Sequence, residues 1–241
     1  MTAAATNGQP LLSIKEVVAG YRGDRVLNGV SMDVGHSGVV ALLGANGVGK
    51  TTLLRAVAGM IPCRHGSIHF GGSRIDGLPH YKVSRLGVSH VPEGRGIFPG
   101  LTVRENLEVS RFSRARGVAE NEIGLELFPI LKKRLHQRGG TLSGGEQQML
   151  AVARSLASVP KLLLLDEPSL GLAPQVSARL YEALHEVKGT GVAMLLAEQA
   201  AAEALELADY VYVIGVGGRV LASGDPSTVT KQTDLFRIYM T

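Results

Sequence analysis

The sequence predicts an α/β fold in which a mostly parallel sheet is flanked by helices. Three observations predict it. Strand-like and helix-like patterns alternate from Leu162 to Ile214, and such alternation requires parallel strands with right-handed crossovers. The continuous apolar run Val39–Leu43 is typical of a buried central strand. Between about 95 and 160 no strand-like run occurs, so this stretch is predicted to be an inserted helical subdomain.

The chain is long enough for one large unit, which we expect to span 11–241 behind a disordered tail, 1–10. The α/β core is assigned to 11–94 and 161–241, and the helical insertion to 95–160. The tail lacks the basic and apolar segments of a secretory signal, and no apolar run reaches the roughly 18–20 residues that cross a bilayer. One cysteine excludes an internal disulfide and fits a reducing cytoplasm, and a net charge of +4 is too small to indicate nucleic-acid binding.

The elements before the insertion begin with two alternating runs that predict an antiparallel pair of strands near the edge of the sheet. A central strand, a helix and two further strands follow. In order, the predicted elements are Leu12–Val18, Val26–Val34, Val39–Leu43, the helix Thr51–Gly59, Ser67–Phe70 and Leu86–Val91.

In the insertion, Thr102 followed by Glu105 forms a capping-box pattern at a helix start. Ser143 is predicted to cap another helix, which runs to Ser158. After the strand Leu162–Asp166, the predicted elements are the helix Pro174–Val187, the strand Val192–Ala197, the helix Gln199–Ala208, the strand Tyr210–Ile214 and the helix Pro226–Met240.

A glycine-rich loop between the central strand and the first helix matches the phosphate-binding pattern G-x-x-x-x-G-K-[ST]. Its glycines let successive N–H groups face inward, which creates an anion site at the helix start. Lys50 adds a charge at the β- and γ-phosphates of ATP, and Thr51 offers a hydroxyl to Mg²⁺. The flanking strand and helix favour this interpretation over a plain glycine-rich turn. The predicted binding residues are Gly44, Ala45, Asn46, Gly47, Val48, Gly49, Lys50, Thr51 and Thr52.

Two acids end the apolar strand that follows the insertion, at the edge where open α/β sheets bind ligands. Asp166 is predicted to join Thr51 in the Mg²⁺ shell. Glu167 is predicted to polarise the water that attacks the γ-phosphate, because hydrolysis needs an acceptor there. Lys50 is included among the catalytic residues. A strand that simply ends in polar residues is the alternative.

The run Ser143, Gly144, Gly145 and Glu146 places a hydroxyl and two residues without side chains at a helix start, which is a second anion-binding arrangement. A capped helix start without a ligand is its alternative. Tyr21 lies between two early strands and is a candidate for contact with the adenine, or else a core or edge tyrosine.

These motifs resemble those of the ATP-binding-cassette (ABC) ATPases from Tyr21 to about Gly224. Within that family, four stretches resemble the LivF-type ATPases of branched-chain amino acid importers. They are Val91–Arg95, Gly140–Ala151, Asp166–Pro174 and Ala197–Ala200.

Three positions depart from the general family pattern. Glu93 stands where the family has a glutamine that senses Mg²⁺, and Gln199 stands where it has a switch histidine near the γ-phosphate. Both substitutions resemble the LivF branch, so Glu93 is retained as a metal and nucleotide residue and Gln199 as a catalytic residue. The alternative for Gln199 is a helix cap. Ala173 replaces an aspartate that many relatives use across their dimer.

The resemblance implies an ATP- and Mg²⁺-dependent ATPase at the cytoplasmic face of a membrane. It implies two permease subunits, a second ATPase subunit (identical or different) whose ATP is contacted by Ser143–Glu146, and indirectly a solute-binding protein. Uptake of branched-chain or related amino acids is the expected function. The alternatives are a urea or amide importer and a non-transport ATPase such as one for iron–sulfur assembly.

Overall fold

The computed structural model describes residues 8–109 and 121–231. Within this part of the chain, six strands form a mostly parallel sheet in the order β10-β9-β3-β8-β7-β6, in which only β10 runs antiparallel to its neighbour. The predicted parallel sheet is therefore confirmed. Its strands are β3 (Val39–Leu43), β6 (Val88–Val91), β7 (Leu162–Asp166), β8 (Ala193–Glu198), β9 (Tyr210–Gly215) and β10 (Arg219–Gly224).

The predicted antiparallel pair is present, but it does not lie at the edge of the parallel sheet. It belongs to a separate sheet of the described residues, in the order β2-β1-β4-β5, because β4 forms hydrogen bonds along the other side of β1. The strands are β1 (Leu12–Ala19), β2 (Leu27–Val34), β4 (Cys63–Phe70) and β5 (Ser73–Arg74).

The helices cover both faces of the parallel sheet. Those that lie between β6 and β7 occupy the predicted insertion, where the described residues contain no strand. None of the helices in the described ranges has both the length and the apolar character needed to cross a membrane. The helices are α1 (Lys50–Val57), α2 (His80–Leu86), α3 (Val103–Val109), α4 (Asn121–Leu127), α5 (Pro129–Lys132), α6 (Gly144–Leu156), α7 (Pro174–Gly189), α8 (Ala201–Leu207) and α9 (Pro226–Lys231).

Several predicted boundaries were wrong, and the elements α2, β5 and β10 were not predicted. Strand β6 begins at Val88 because Leu86 ends α2 and Gly87 turns the chain with a φ of 111°. Helix α2 buries a single side chain, Val83, so its sequence lacks an apolar periodicity. Strand β10 forms a hairpin with β9 and was also missed. The predicted tail residues 1–7 and the end of the predicted last helix, 232–240, lie outside the described residues.

Alternate residues of β7 and β8 face opposite sides of the parallel sheet. Leu163 and Leu165 pack with α6 and α7, whereas Leu162 and Leu164 pack with α1 and the antiparallel sheet. All four are fully buried, and each contributes roughly 2 kcal/mol of apolar burial. The alternation places the last residue of β7 on the α1 side of the sheet. By the same alternation, the last residue of β8 lies on the α7 side.

Candidate nucleotide site

The glycine-rich loop connects β3 directly to α1, as predicted. Gly47 and Gly49 have φ values of 80° and 115°, in the region that side chains rarely adopt. A Cβ at Gly44 would collide with the carbonyl oxygen of Ile214 on the neighbouring strand. Ala45 and the buried Val48 pack against the core, whereas Asn46 and Gly47 are exposed. The loop therefore keeps its backbone available at the start of α1.

Lys50 is buried, with 3% of its side chain exposed, and its ammonium group has three oxygen partners. Nζ lies 2.7 Å from the carbonyl oxygen of Gly44, 3.0 Å from that of Ala45 and 3.0 Å from Oε1 of Glu167. An ammonium group has three N–H donors, so this set can satisfy all of them. A cavity of about 90 Å³ opens beside it, lined by Gly47, Gly49, Lys50, Thr51, Thr52 and Glu167.

Asp166 and Thr51 form a pair of oxygen donors beneath the loop. The Thr51 hydroxyl donates to Oδ1 of Asp166 at 3.0 Å, whereas Oδ2 is buried and has no hydrogen-bond partner among the described residues. Burial raises the pKa of Asp166, and the charges of Glu167 and Glu93 raise it further, against the lowering effect of the Thr51 bond. A buried carboxylate oxygen without a donor, near further carboxylates, suits a hard divalent cation. These residues fit Mg²⁺.

Glu167 adopts a left-handed backbone conformation, with a φ of 46°. For a residue with a side chain this conformation costs roughly 1–2 kcal/mol. Its N–H donates to the carbonyl oxygen of Ala197 at 2.9 Å, and its side chain is 8% exposed beside Lys50. The backbone turn therefore aims this carboxylate at the glycine-rich loop rather than at solvent.

Glu93 and Gln199 lie just beyond the carboxyl ends of β6 and β8, on the two sides of β7. Glu93 is exposed, and its charge acts on Asp166. Gln199 is partly exposed, and its N–H donates to Oε2 of Glu198 at 3.3 Å. Helix α8 begins at Ala201 with Ala200 as N-cap and no side-chain cap bond, so the helix-cap alternative for Gln199 is wrong.

Tyr21 lies in the loop between β1 and β2 with 38% of its surface exposed, so it is not a core residue. Its hydroxyl accepts a hydrogen bond from Nη1 of Arg55 on α1 at 3.1 Å. The ring therefore stands beside the helix that begins at the glycine-rich loop. Its contact with adenine stays a prediction.

Ser143 is the N-cap of α6, and the predicted capping box is present. Its Oγ accepts from the N–H of Glu146 at 3.3 Å, and its own N–H donates to Oε2 of Glu146 at 2.9 Å. Oε1 of Glu146 lies 2.9 Å from Nε of Arg134. Both oxygens of Glu146 thus have partners within the chain, and its contact with a nucleotide stays a prediction.

The two glycines after Ser143 are closely packed. A Cβ at Gly144 would lie 2.9 Å from Nη2 of Arg95, and one at Gly145 would collide with Cγ1 of Val176. In the part of the chain that the structure describes, no hydrogen bond or ion pair joins this segment to the glycine-rich loop. The structure therefore brings Lys50, Thr51, Asp166 and Glu167 together. Glu93 and Gln199 lie just past the ends of the two neighbouring strands, and no hydrogen bond or ion pair among the described residues connects the Ser143 segment to this group.

The sequence interpretation missed the buried Glu198 at the end of β8. Its Oε1 accepts from the N–H of Ser169 at 3.1 Å, from the Ser169 hydroxyl at 2.7 Å and from the Tyr181 hydroxyl at 3.2 Å. An acid at the end of an apolar strand was the signal that identified Asp166. The same signal at the end of β8 was available and was not used.

Comparison with known proteins identifies the family. The family model described as ABC transporter matches residues 27–170. A branched-chain amino acid transport ATP-binding protein, BraG of Pseudomonas aeruginosa, is 45% identical over 213 residues, covering 88% of this chain and 91% of that protein. The probable LivF protein of Archaeoglobus fulgidus is 31% identical, covering 95% and 98%. The lipopolysaccharide export ATP-binding protein LptB of Escherichia coli is 32% identical, covering 95% and 96%.

Solved structures agree with this result. An ATP-binding subunit of an ABC transporter superposes with a TM-score of 0.81 at 30% identity, covering 93% of this chain and 94% of that one. CbiO1 of Clostridium perfringens superposes with a TM-score of 0.81 at 25% identity, covering 95% and 94%. With the matching fold, the glycine-rich loop and the acids that face it, the chain belongs to the ABC transporter family, as one of its ATP-binding and ATP-hydrolysing cassettes.

Proposed function

We propose that this cassette powers the uptake of branched-chain or related amino acids by hydrolysing Mg²⁺–ATP. The observation that carries the ATPase role is the convergence of Lys50, Thr51, Asp166 and Glu167 at one loop. The solute class is supported by the names of two relatives, BraG and LivF. The alignment with BraG covers most of this chain and most of BraG.

The chain's own residues divide the chemistry among them. The N–H groups of the loop and Lys50 bind the β- and γ-phosphates, where the positive end of α1 also acts. Glu167 accepts the proton of the attacking water, and Gln199 donates a hydrogen bond to the γ-phosphate. Thr51, Asp166 and Glu93 would hold Mg²⁺, which would neutralise charge on the phosphates. Tyr21 contacts the adenine.

The Ser143 segment is proposed to complete the site of a second cassette. Its polar N-cap, its small residues and the start of a 13-residue helix suit a phosphate. Within 8–109 and 121–231, no hydrogen bond or ion pair joins it to the loop of its own chain. The second cassette is identical or different. Two permease subunits hold the pair at the cytoplasmic membrane face, with a solute-binding protein outside. We also propose that the chain is divided into an α/β core (11–94 and 161–241) and a helical insertion (95–160).

The test is solute uptake in cells that lack this chain. Uptake of labelled leucine, isoleucine and valine should be lost, and the parent chain should restore it, whereas Glu167→Gln should not. The exposed α7 variant Glu186→Gln is the matched control and should restore uptake. Loss of urea uptake with normal leucine uptake would support the urea or amide alternative. Normal uptake of all of these solutes would favour a non-transport ATPase.

A further inference from the structure

Glu198 contacts three parts of the nucleotide site, two through its buried carboxylate and one through its backbone carbonyl. Oε1 accepts both polar hydrogens of Ser169, which lies two residues after Glu167. Oε2 accepts the N–H of Gln199 at 3.3 Å. The Glu198 backbone carbonyl accepts the N–H of Gly44, the first residue of the glycine-rich loop, at 3.4 Å.

Packing gives no reason for a carboxylate at this position. Glu198 is 2% exposed, and the described residues offer it no ion pair within 4 Å. Burial raises the pKa of Glu198, the hydrogen bonds from Ser169 and Tyr181 oppose this effect, and the charge of Glu167 adds to it. An apolar side chain would avoid this desolvation cost. The charge is tolerated because four donors surround it.

The end of β8 holds the turn that contains Glu167 from both sides. On its N-terminal side, the turn is held by the N–H of Glu167, which donates to the carbonyl oxygen of Ala197 at 2.9 Å. On its C-terminal side, the turn is held by Ser169, whose N–H and hydroxyl both donate to Glu198. A left-handed conformation at a residue with a side chain persists only where its surroundings enforce it, and these bonds are among the contacts that hold it, with the Lys50 ion pair.

We propose that Glu198 is a positioning residue for the hydrolytic step, acting through Ser169 to hold Glu167 in line with the glycine-rich loop. The inference rests on the proposed role of Glu167 as the base. Removal of the carboxylate releases Ser169, and the turn at Glu167 relaxes towards an ordinary backbone conformation. The base then spends less time aligned with the attacking water, so turnover falls while nucleotide binding persists.

A double-mutant cycle in the full-length chain tests this. Glu198→Ala should lower kcat by about 10–10²-fold, the scale of a small misplacement of a reacting group, with KM for ATP changed less than threefold. Glu198→Gln keeps an acceptor for Ser169 and should retain at least about a third of the parent rate. In a Glu167→Gln background, Glu198→Ala should cause no further fall, because the group it positions no longer acts as a base.

The outcomes separate the two claims. Parent-level turnover in Glu167→Gln overturns the base assignment and this inference with it. If Glu167→Gln lowers kcat strongly and Glu198→Ala lowers it further by its full factor in the double mutant, only the positioning role is overturned. Parent-level turnover in Glu198→Ala has the same consequence. If Glu198→Ala does not fold, Ser169→Ala carries the same cycle, with an expected fall of about three- to tenfold for one lost hydrogen bond. Glu186→Ala is the control.

Discussion

Lys50 and Glu167 form a buried ion pair, with Nζ 3.0 Å from Oε1 and the two side chains 3% and 8% exposed. The loop's cation is thus balanced by the same carboxylate that is proposed to act as the base. A γ-phosphate at Lys50 competes with Glu167 for this charge. On the proposed mechanism, phosphate binding would free a carboxylate oxygen of Glu167 to accept a proton from water, so the base would become active only when the site is occupied.

Glu167→Gln should keep ATP binding while hydrolysis falls by about 10²–10⁴-fold, the usual scale for loss of a general base. Binding survives because the N–H groups of the loop and Lys50, which are proposed to hold the phosphates, are unchanged. The variant should accumulate as an ATP-bound dimer. Steady-state hydrolysis and size-exclusion chromatography measure both effects, with Glu186→Gln as control. Normal turnover with the partners present would remove Glu167 from this role.

Ser143→Asp should block ATP-driven dimerisation and leave nucleotide affinity of the monomer unchanged. Aspartate is as good an N-cap as serine, so α6 keeps its cap, but a negative charge now faces the phosphate of the second cassette. Ser143→Asn, a neutral cap of similar size, is the matched control and should dimerise. Gly145→Asp is a poorer test because a side chain there collides with Val176.

Dimerisation is measured by light scattering with ATP in a Glu167→Gln background, and monomer affinity by titration with a fluorescent nucleotide. If Ser143→Asp weakens nucleotide binding by the monomer, the segment serves its own chain's ATP and the proposed cross-subunit contact is wrong.

Gln199→Ala should lower hydrolysis by about 10–10³-fold through loss of one transition-state hydrogen bond. Gln199→His should keep substantial activity and gain a pH dependence near 6–7, because histidine titrates there and glutamine does not. Rates of the purified complex from pH 5 to 8 are the measurement. A parent-level rate for Gln199→Ala across this range would place the switch role elsewhere.

His90 on β6 should make the protein less stable in mild acid. Both ring nitrogens are buried, and neither has a hydrogen-bond partner in the part of the chain that the structure describes. Burial lowers the pKa of His90 from 6.5 to about 4, and the charges of His80 and Arg55 add to the effect. Between these values the unfolded chain binds the proton and the folded chain does not, so stability falls as pH falls. The loss from this group between pH 7 and pH 5 is about 2 kcal/mol.

His90→Leu should remove that part of the pH dependence. Urea midpoints at pH 7 and pH 5 measure it, as the difference between parent and variant, and the exposed His185→Gln serves as control. An equal acid loss in His90→Leu and the parent would show that His90 does not contribute.

Local patterns predicted the glycine-rich loop, the acids that end β7 and the caps at Thr102 and Ser143, because each depends on residues within a few positions. Glu198 carried the same local signal at the end of β8, but its role depends on Ser169 and Tyr181, which are 29 and 17 residues away. The separate antiparallel sheet was missed because only the pairing of β4 with β1 reveals it. The proposed contact of the Ser143 segment with a second cassette involves another chain, so local patterns in this sequence could not show it.

Because side chains alternate along β7 and β8, the length of each strand determines which side of the sheet its last residue faces. Asp166 follows Leu164 onto the α1 side and meets Thr51, whereas Glu198 follows Leu196 onto the α7 side and meets Tyr181. Deletion of one leucine from β7 would carry Asp166 to the opposite side of the sheet, away from the hydroxyl of Thr51. The insertion or deletion of a single residue within these strands should therefore abolish the site even where the core still folds.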